Sequence, residues 1–136
     1  MTKVLIIDDD PVITAIYEKQ FRATKYDVKV AHGPVTGLVT LKSFKPDVVL
    51  LDLKMPFRNG VEWLQHVRKI EEFKDLPVVV VTGEPPGSYL VRAATGSLVT
   101  GVLYKSEWDP GAVVAAIAWA ARKRPEKAQA EKSQAA

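Results

Sequence analysis

Five short apolar runs punctuate the chain, at residues 3–7, 28–31, 48–51, 78–81 and 101–104. They are rich in β-branched residues and bounded by Asp, Pro or Gly, a pattern that predicts strands buried on both faces of a parallel sheet. Between them, apolar residues recur at helical spacing. Ile13, Ile16, Tyr17 and Phe21 follow i, i+3, i+4, i+8, and Trp63, Val67 and Ile70 follow i, i+4, i+7. Leu38, Leu41 and Phe44 mark a weaker helix between the second and third strands. Gly83, Pro85, Pro86 and Gly87 delay the start of the fourth helix. The fifth is expected to run from Asp109, an N-cap with Pro110 in the first turn, to about Arg124. Strand–helix alternation predicts an α/β fold, a doubly wound five-stranded parallel sheet with helices on both faces.

At 136 residues, one domain is expected, spanning 1–124. Residues 125–136 begin with the helix-ending Pro125 and carry no large apolar side chain, so a disordered tail is expected there. The 47% hydrophobic and 26% charged residues are ordinary for a globular domain. The absence of cysteine excludes a disulfide scaffold, a thiol nucleophile and any Cys-ligated metal. No apolar run approaches the roughly 18 residues of a membrane span, and Met1, Thr2 and Lys3 lead straight into a strand pattern instead of a signal peptide. A cytoplasmic protein with no membrane association is expected.

Charge changes the picture more. The net +3 conceals a cluster of acids at the ends of apolar runs: Asp8, Asp9, Asp10 and Asp52. Without those four, 19 basic residues face 12 acidic ones. The basic residues are scattered and lack an aromatic stacking motif, so no direct nucleic-acid partner is expected. Arg122, Lys123 and Arg124 end a helix, where cations complement its dipole.

Open parallel sheets bind ligands beyond the carboxyl ends of their strands. Asp8, Asp9 and Asp10 follow the first strand, Asp52 the third, Thr82 the fourth and Lys105 the fifth. Four strands thus deliver ionisable or hydroxyl groups to one rim. Each alone has a bland explanation, an Asp as a helix cap or a Lys as a solvated charge, but their conjunction resists it. Neighbouring carboxylates need a counter-charge. Mg²⁺ suits them, because it takes one or two carboxylates, keeps waters and bridges to phosphate. Lys105 adds a fixed cation and Thr82 a hydroxyl donor, together a site suited to phosphoryl transfer, with an Asp carboxylate as nucleophile.

From about Lys3 to Arg124 the chain resembles the receiver domains of two-component response regulators, the CheY-like family. The resemblance rests on the run from Lys3 to Asp10, on residues 49–56 with Asp52, Leu53, Met55, Pro56, then Gly60 and Glu62, on residues 80–83, and on residues 101–105. It implies a flavodoxin-like fold with strand order 2-1-3-4-5. It implies Asp52 as phospho-acceptor, Asp8, Asp9, Asp52 and the backbone carbonyl of Lys54 as the Mg²⁺ site, and Thr82 and Lys105 as phosphoryl-binding groups. The implied partners are a histidine kinase or phosphotransfer protein as donor, and a downstream protein target. Such a stand-alone receiver assists its own phosphorylation and dephosphorylation but is not an enzyme in the usual sense.

The chain departs from the family pattern. Ser106 stands where Pro usually follows the active-site Lys, so the Lys105–Ser106 peptide is expected trans, a non-proline cis bond costing about 2.5–4 kcal/mol. Val102 replaces an aromatic whose rotation couples to the Thr; Tyr104, two residues on, shares its strand face and is a candidate substitute. Next to the family pattern, the stretch from Gly96 to Lys105 is about two residues longer. Lys54 and Glu84, each two residues past a site residue, occupy positions that influence phosphoryl turnover in the family. On the fifth helix, Val113, Val114, Ile117 and Ala121 are expected to face the sheet. Ala112, Ala115, Ala116 and Trp119 form a second stripe, a candidate partner or homodimer face. His32 and His66 lack convergent ligands and read as surface residues. Two alternatives remain. One is a phosphorylation-independent module on the same fold. The other is a haloacid-dehalogenase-type hydrolase with Asp8 as nucleophile, which would need another acidic pair late in the chain and leaves residues 52–56 unexplained.

Overall fold

The structure is a computed structural model that describes residues 1–55, 59–96, 99–107 and 109–123. The expected tail, the Arg124 end of the fifth helix and Pro56 lie outside the described residues, as does part of the stretch read as lengthened before Lys105.

Five strands, β1 (Lys3–Ile7), β2 (Asp27–Ala31), β3 (Val48–Asp52), β4 (Val78–Thr82) and β5 (Gly101–Tyr104), alternate with five helices. The helices are α1 (Pro11–Phe21), α2 (Pro34–Phe44), α3 (Gly60–Arg68), α4 (Tyr89–Thr95) and α5 (Pro110–Ala121). Short 3₁₀ turns follow α3 and β5, at Glu71–Phe73 and Lys105–Glu107. All strand pairs are parallel, in the order β2-β1-β3-β4-β5. β1 and β5 have the expected bounds; β2 starts one residue earlier, and β3 and β4 each extend by one, onto Asp52 and Thr82.

Every residue of β3 and β4 is buried, which explains their continuous hydrophobic runs. Alternation along β1 divides the core between two faces. Val4 and Ile6 pack with Tyr17 and Phe21 of α1 and with Val113, Ile117 and Ala120 of α5. Leu5 and Ile7 pack on the other face with Leu41, Trp63, Leu64 and Val67 from α2 and α3, and with Val91 from α4. The expected inward stripe of α5 is corrected in one respect. Ala120, not Ala121, is fully buried beside Val113 and Ile117, while Val114 and Ala121 flank that cluster at partial burial. Apolar residues at all but the first two of its twelve positions leave an alanine-rich helix with little contrast from which to read its phase.

Local chemistry sets the helix starts. The Asp10 carboxylate accepts from the Val12 and Ile13 amides, and Pro11 opens α1 without needing a donor. α4 begins only at Tyr89, capped by Ser88 and preceded by Gly87 at φ +84°. Asp109 caps α5 through the Gly111 amide.

Candidate functional site

The strand order β1-β3-β4-β5 places Asp8, Asp52, Thr82 and Lys105 side by side on one rim. Asp8 follows β1 directly and is 2% exposed; Asp52 ends β3 at 6%, and Thr82 ends β4 fully buried. Asp9 is exposed. One carboxylate oxygen from each of Asp8, Asp9 and Asp52 lies within 4.8 Å of the others. Lys105, leaving β5, brings its ammonium to 3.4 Å from Asp52 Oδ2 and 3.8 Å from Asp8 Oδ2. Among the described residues, cis peptides are absent, and Lys105–Ser106 is trans as expected.

Backbone contacts hold these groups. The Asp10 amide donates to Asp8 Oδ1 at 3.0 Å, and the Lys54 amide to Asp52 Oδ1 at 3.3 Å. The Thr82 hydroxyl oxygen accepts from the Glu84 amide at 3.0 Å, leaving its proton free to be donated elsewhere. Gly60, at the start of α3, donates its amide to the Leu53 carbonyl at 2.7 Å. A Cβ at Gly60 would stand 2.6 Å from the Asp52 carbonyl oxygen. Glycine is therefore what lets α3 close against the segment carrying Asp52.

Burial dominates the electrostatics. It raises the Asp8 pKa from 3.8 to about 6, opposed by the Asp10 amide, reinforced by Asp52, opposed by Lys105 and reinforced slightly by Asp9. Burial also raises Asp52, while the charge of Lys105, the Lys54 amide and the hydrogen bond from Lys105 pull it down. Among the described residues, the one ammonium in contact with Asp52 and Asp8 does not neutralise three carboxylates. The donor set, hard oxygens only and short of positive charge, fits a divalent cation such as Mg²⁺.

This arrangement coincides with what the chain is similar to. The response regulator receiver domain matches residues 4–118. The chain belongs to that family. Chemotaxis protein CheY-3 of Vibrio cholerae is 32% identical over 104 residues, 76% of this chain and 79% of that protein. The DNA-binding dual master transcriptional regulator RpaA of Synechocystis is 34% identical over 82 residues, 60% of this chain but only 34% of RpaA. The chain thus spans about a third of that relative's length. The structure of CheY4 of Vibrio cholerae superposes with a TM-score of 0.80 at 25% identity, covering 88% of this chain and 98% of that one. The fold is the flavodoxin-like one of CheY, and the chain is a receiver of two-component signalling.

Receivers are phospho-acceptors rather than enzymes in the usual sense, and they bind Mg²⁺ at an acidic pocket. Asp8, Asp9 and Asp52 form such a cluster in this receiver. No helix among the described residues is long and apolar enough to cross a membrane. Asp10, part of the acidic run, is occupied as the α1 cap, which weakens a hydrolase reading built on Asp8 and Asp10. Its position before Pro11 was the signal for that role. Lys54 Nζ lies 3.9 Å from Glu84 Oε1, across the mouth between β3 and β4. Val102 and Tyr104 both pack on the α3–α4 side of the sheet. His66 is exposed as expected, whereas exposed His32 has a contact that sequence reasoning missed: its Nδ1 lies 3.3 Å from the Asp8 carbonyl oxygen. Only the adjacency of β1 and β2 reveals it.

Proposed function

We propose that Asp52 is the phospho-acceptor of this receiver, taking the phosphoryl group from a phosphohistidine on a histidine kinase or phosphotransfer protein. The observation that carries this reading is the position of the Asp52 carboxylate: 3.4 Å from the Lys105 ammonium, beside Asp8 and Asp9, on the strand next to Thr82. An Asp52 oxygen attacks phosphorus, and the bond from phosphorus to the donor imidazole breaks. The electron pair leaves with the imidazole nitrogen, which takes up a proton. The product is an acyl phosphate, returned to carboxylate and inorganic phosphate by water.

Asp8, Asp9, Asp52 and the Lys54 carbonyl would hold Mg²⁺. Bound there, Mg²⁺ would supply charge neutralisation for the phosphoryl group. Lys105 pairs with a phosphoryl oxygen in place of its contact with Asp8. The Thr82 hydroxyl donates its proton to another oxygen, drawing the β4–α4 loop inward. With Val102 carrying no ring, Tyr104 on the same face is the group placed to follow that movement. Lys54 and Glu84 pair over the mouth and hinder the attacking water. The change reaches a downstream protein through a face that includes Tyr104, Ala112, Ala116 and Trp119.

The test uses beryllofluoride with Mg²⁺, a phosphoryl mimic, followed by amide chemical shifts. The reading expects saturable shifts centred on Asp52, Thr82 and Lys105 that need Mg²⁺ and vanish in Asp52→Asn. Absence of any shift would favour the phosphorylation-independent module, an alternative motivated by Val102 and Ser106.

A further inference from the structure

His32 is exposed just past the end of β2, yet its ring is tied to the acidic site on the neighbouring strand. Its Nδ1 lies 3.3 Å from the carbonyl oxygen of Asp8. A carbonyl only accepts, so Nδ1 carries the hydrogen. The neutral ring in that tautomer and the doubly protonated ring both donate from Nδ1. The contact therefore does not depend on the charge of the imidazole.

The β1–β2 ladder explains why a side chain stands at this point. At one end the Asp27 amide donates to the Thr2 carbonyl at 2.9 Å, and at the other the Asp8 amide donates to the Ala31 carbonyl at 3.1 Å. The parallel register pairs Ile7 with Ala31. Continued by one rung, it would make the Gly33 amide the donor to the Asp8 carbonyl. Gly33 is instead the N-cap of α2, where the chain leaves the sheet. The His32 ring stands in for that rung.

The peptide it meets joins the two acids of the β1–α1 turn. The Asp8 carbonyl and the Asp9 amide share one plane, so fixing the carbonyl sets ψ of Asp8 and φ of Asp9. Those two angles aim both side chains. The Asp8 amide is held by Ala31, and its Oδ1 by the Asp10 amide at 3.0 Å. His32 supplies a third hold, on the peptide shared with the exposed Asp9.

We propose that His32 is a positioning residue for the cation site. By holding the Asp8–Asp9 peptide, it keeps both carboxylates in the cluster with Asp52, where the three oxygens lie within 4.8 Å of one another. The role rests on the reading of that cluster as a Mg²⁺ site. It adds to the site β2, a strand that contributes none of the three carboxylates. Ligands aimed in advance are not ordered at the moment of binding, so the loss of His32 is felt in affinity.

Mg²⁺ alone, titrated into the chelator-treated full chain at one fixed pH and followed by the amide shifts of Asp9 and Asp52, tests this. His32→Ala should weaken Mg²⁺ binding by about tenfold, the lower end for an outer partner of metal ligands. His32→Asn places an amide nitrogen near the position of Nδ1 and should recover most of the affinity. Nitrogen NMR of the wild-type imidazole should show a hydrogen on Nδ1 before Mg²⁺ is added. Unchanged Mg²⁺ affinity in His32→Ala would overturn the proposal, whatever happens to its urea midpoint. So would an Asn variant as weak as the Ala one, or a neutral ring protonated only at Nε2. A wild-type chain that binds no Mg²⁺ would overturn the cation site itself, and this role with it.

Discussion

Asp8 shows what the site costs the protein when no cation is bound. Its folded pKa, about 6, lies above the unfolded value of 3.8, so the folded state holds the proton more tightly. Stability from this group is therefore full below about pH 4 and is lost as pH rises through 6, a swing of at most roughly 3 kcal/mol. Asp52 is shifted in the same direction. Urea unfolding with Mg²⁺ chelated should accordingly show the carboxylate site losing stability between pH 4 and 7. Asp8→Asn should flatten that loss and make the metal-free protein more stable at pH 7. Gly60 is the opposite case, a residue whose absence of side chain matters. In Gly60→Ala a methyl would press on the Asp52 carbonyl, costing roughly 1–3 kcal/mol by overpacking and slowing phosphorylation by displacing Asp52. Calorimetry and acetyl phosphate kinetics would read the two effects separately. The sequence offered Gly60 only as part of a pattern; the close approach that requires it is a tertiary fact.

The elements were legible to different degrees, for physical reasons. β3 and β4 are buried on both faces, so their sequences are continuous apolar runs ending in the polar residue that leaves the sheet, Asp52 or Thr82. That is why the rim could be read from the chain: each site residue sits where an apolar run stops. α5 was harder, since alanine on every side hides the phase, and Ala120 took the buried place expected of Ala121. The contact of His32 with Asp8 joins elements 24 positions apart and has no local signal. Asp10 links sequence to element most directly. Asp10→Ala should cost about 1 kcal/mol through the lost α1 cap, while the position of any phosphoryl label stays unchanged, as mass mapping would show. A shift of the label would mean that Asp10 belongs to the chemistry. At the loops after β3 and β4, Lys54 and Glu84 meet 3.9 Å apart. Lys54→Ala should shorten the acyl-phosphate half-life if the pair shields the bond from water; an unchanged half-life would leave an exposed ion pair of little consequence.

At the scale of the whole molecule, the parallel sheet turns four separate strand ends into one acidic pocket beside the Lys105 ammonium, and helices on both faces bury the strands that aim it. Mg²⁺ that binds only the folded chain stabilises it by mass action, about 1.4 kcal/mol at ten times its dissociation constant. Thermal unfolding should therefore rise with Mg²⁺ in the wild type, and much less in Asp52→Asn. The most direct measurement is the identity of the modified residue. The chain is incubated with acetyl phosphate and Mg²⁺, the acyl phosphate is trapped by borohydride reduction, and the peptides are sequenced by mass spectrometry. The account predicts modification at Asp52 alone, dependent on Mg²⁺ and strongly diminished in Lys105→Ala. Modification at Asp8, or none under conditions that label another receiver, would contradict it.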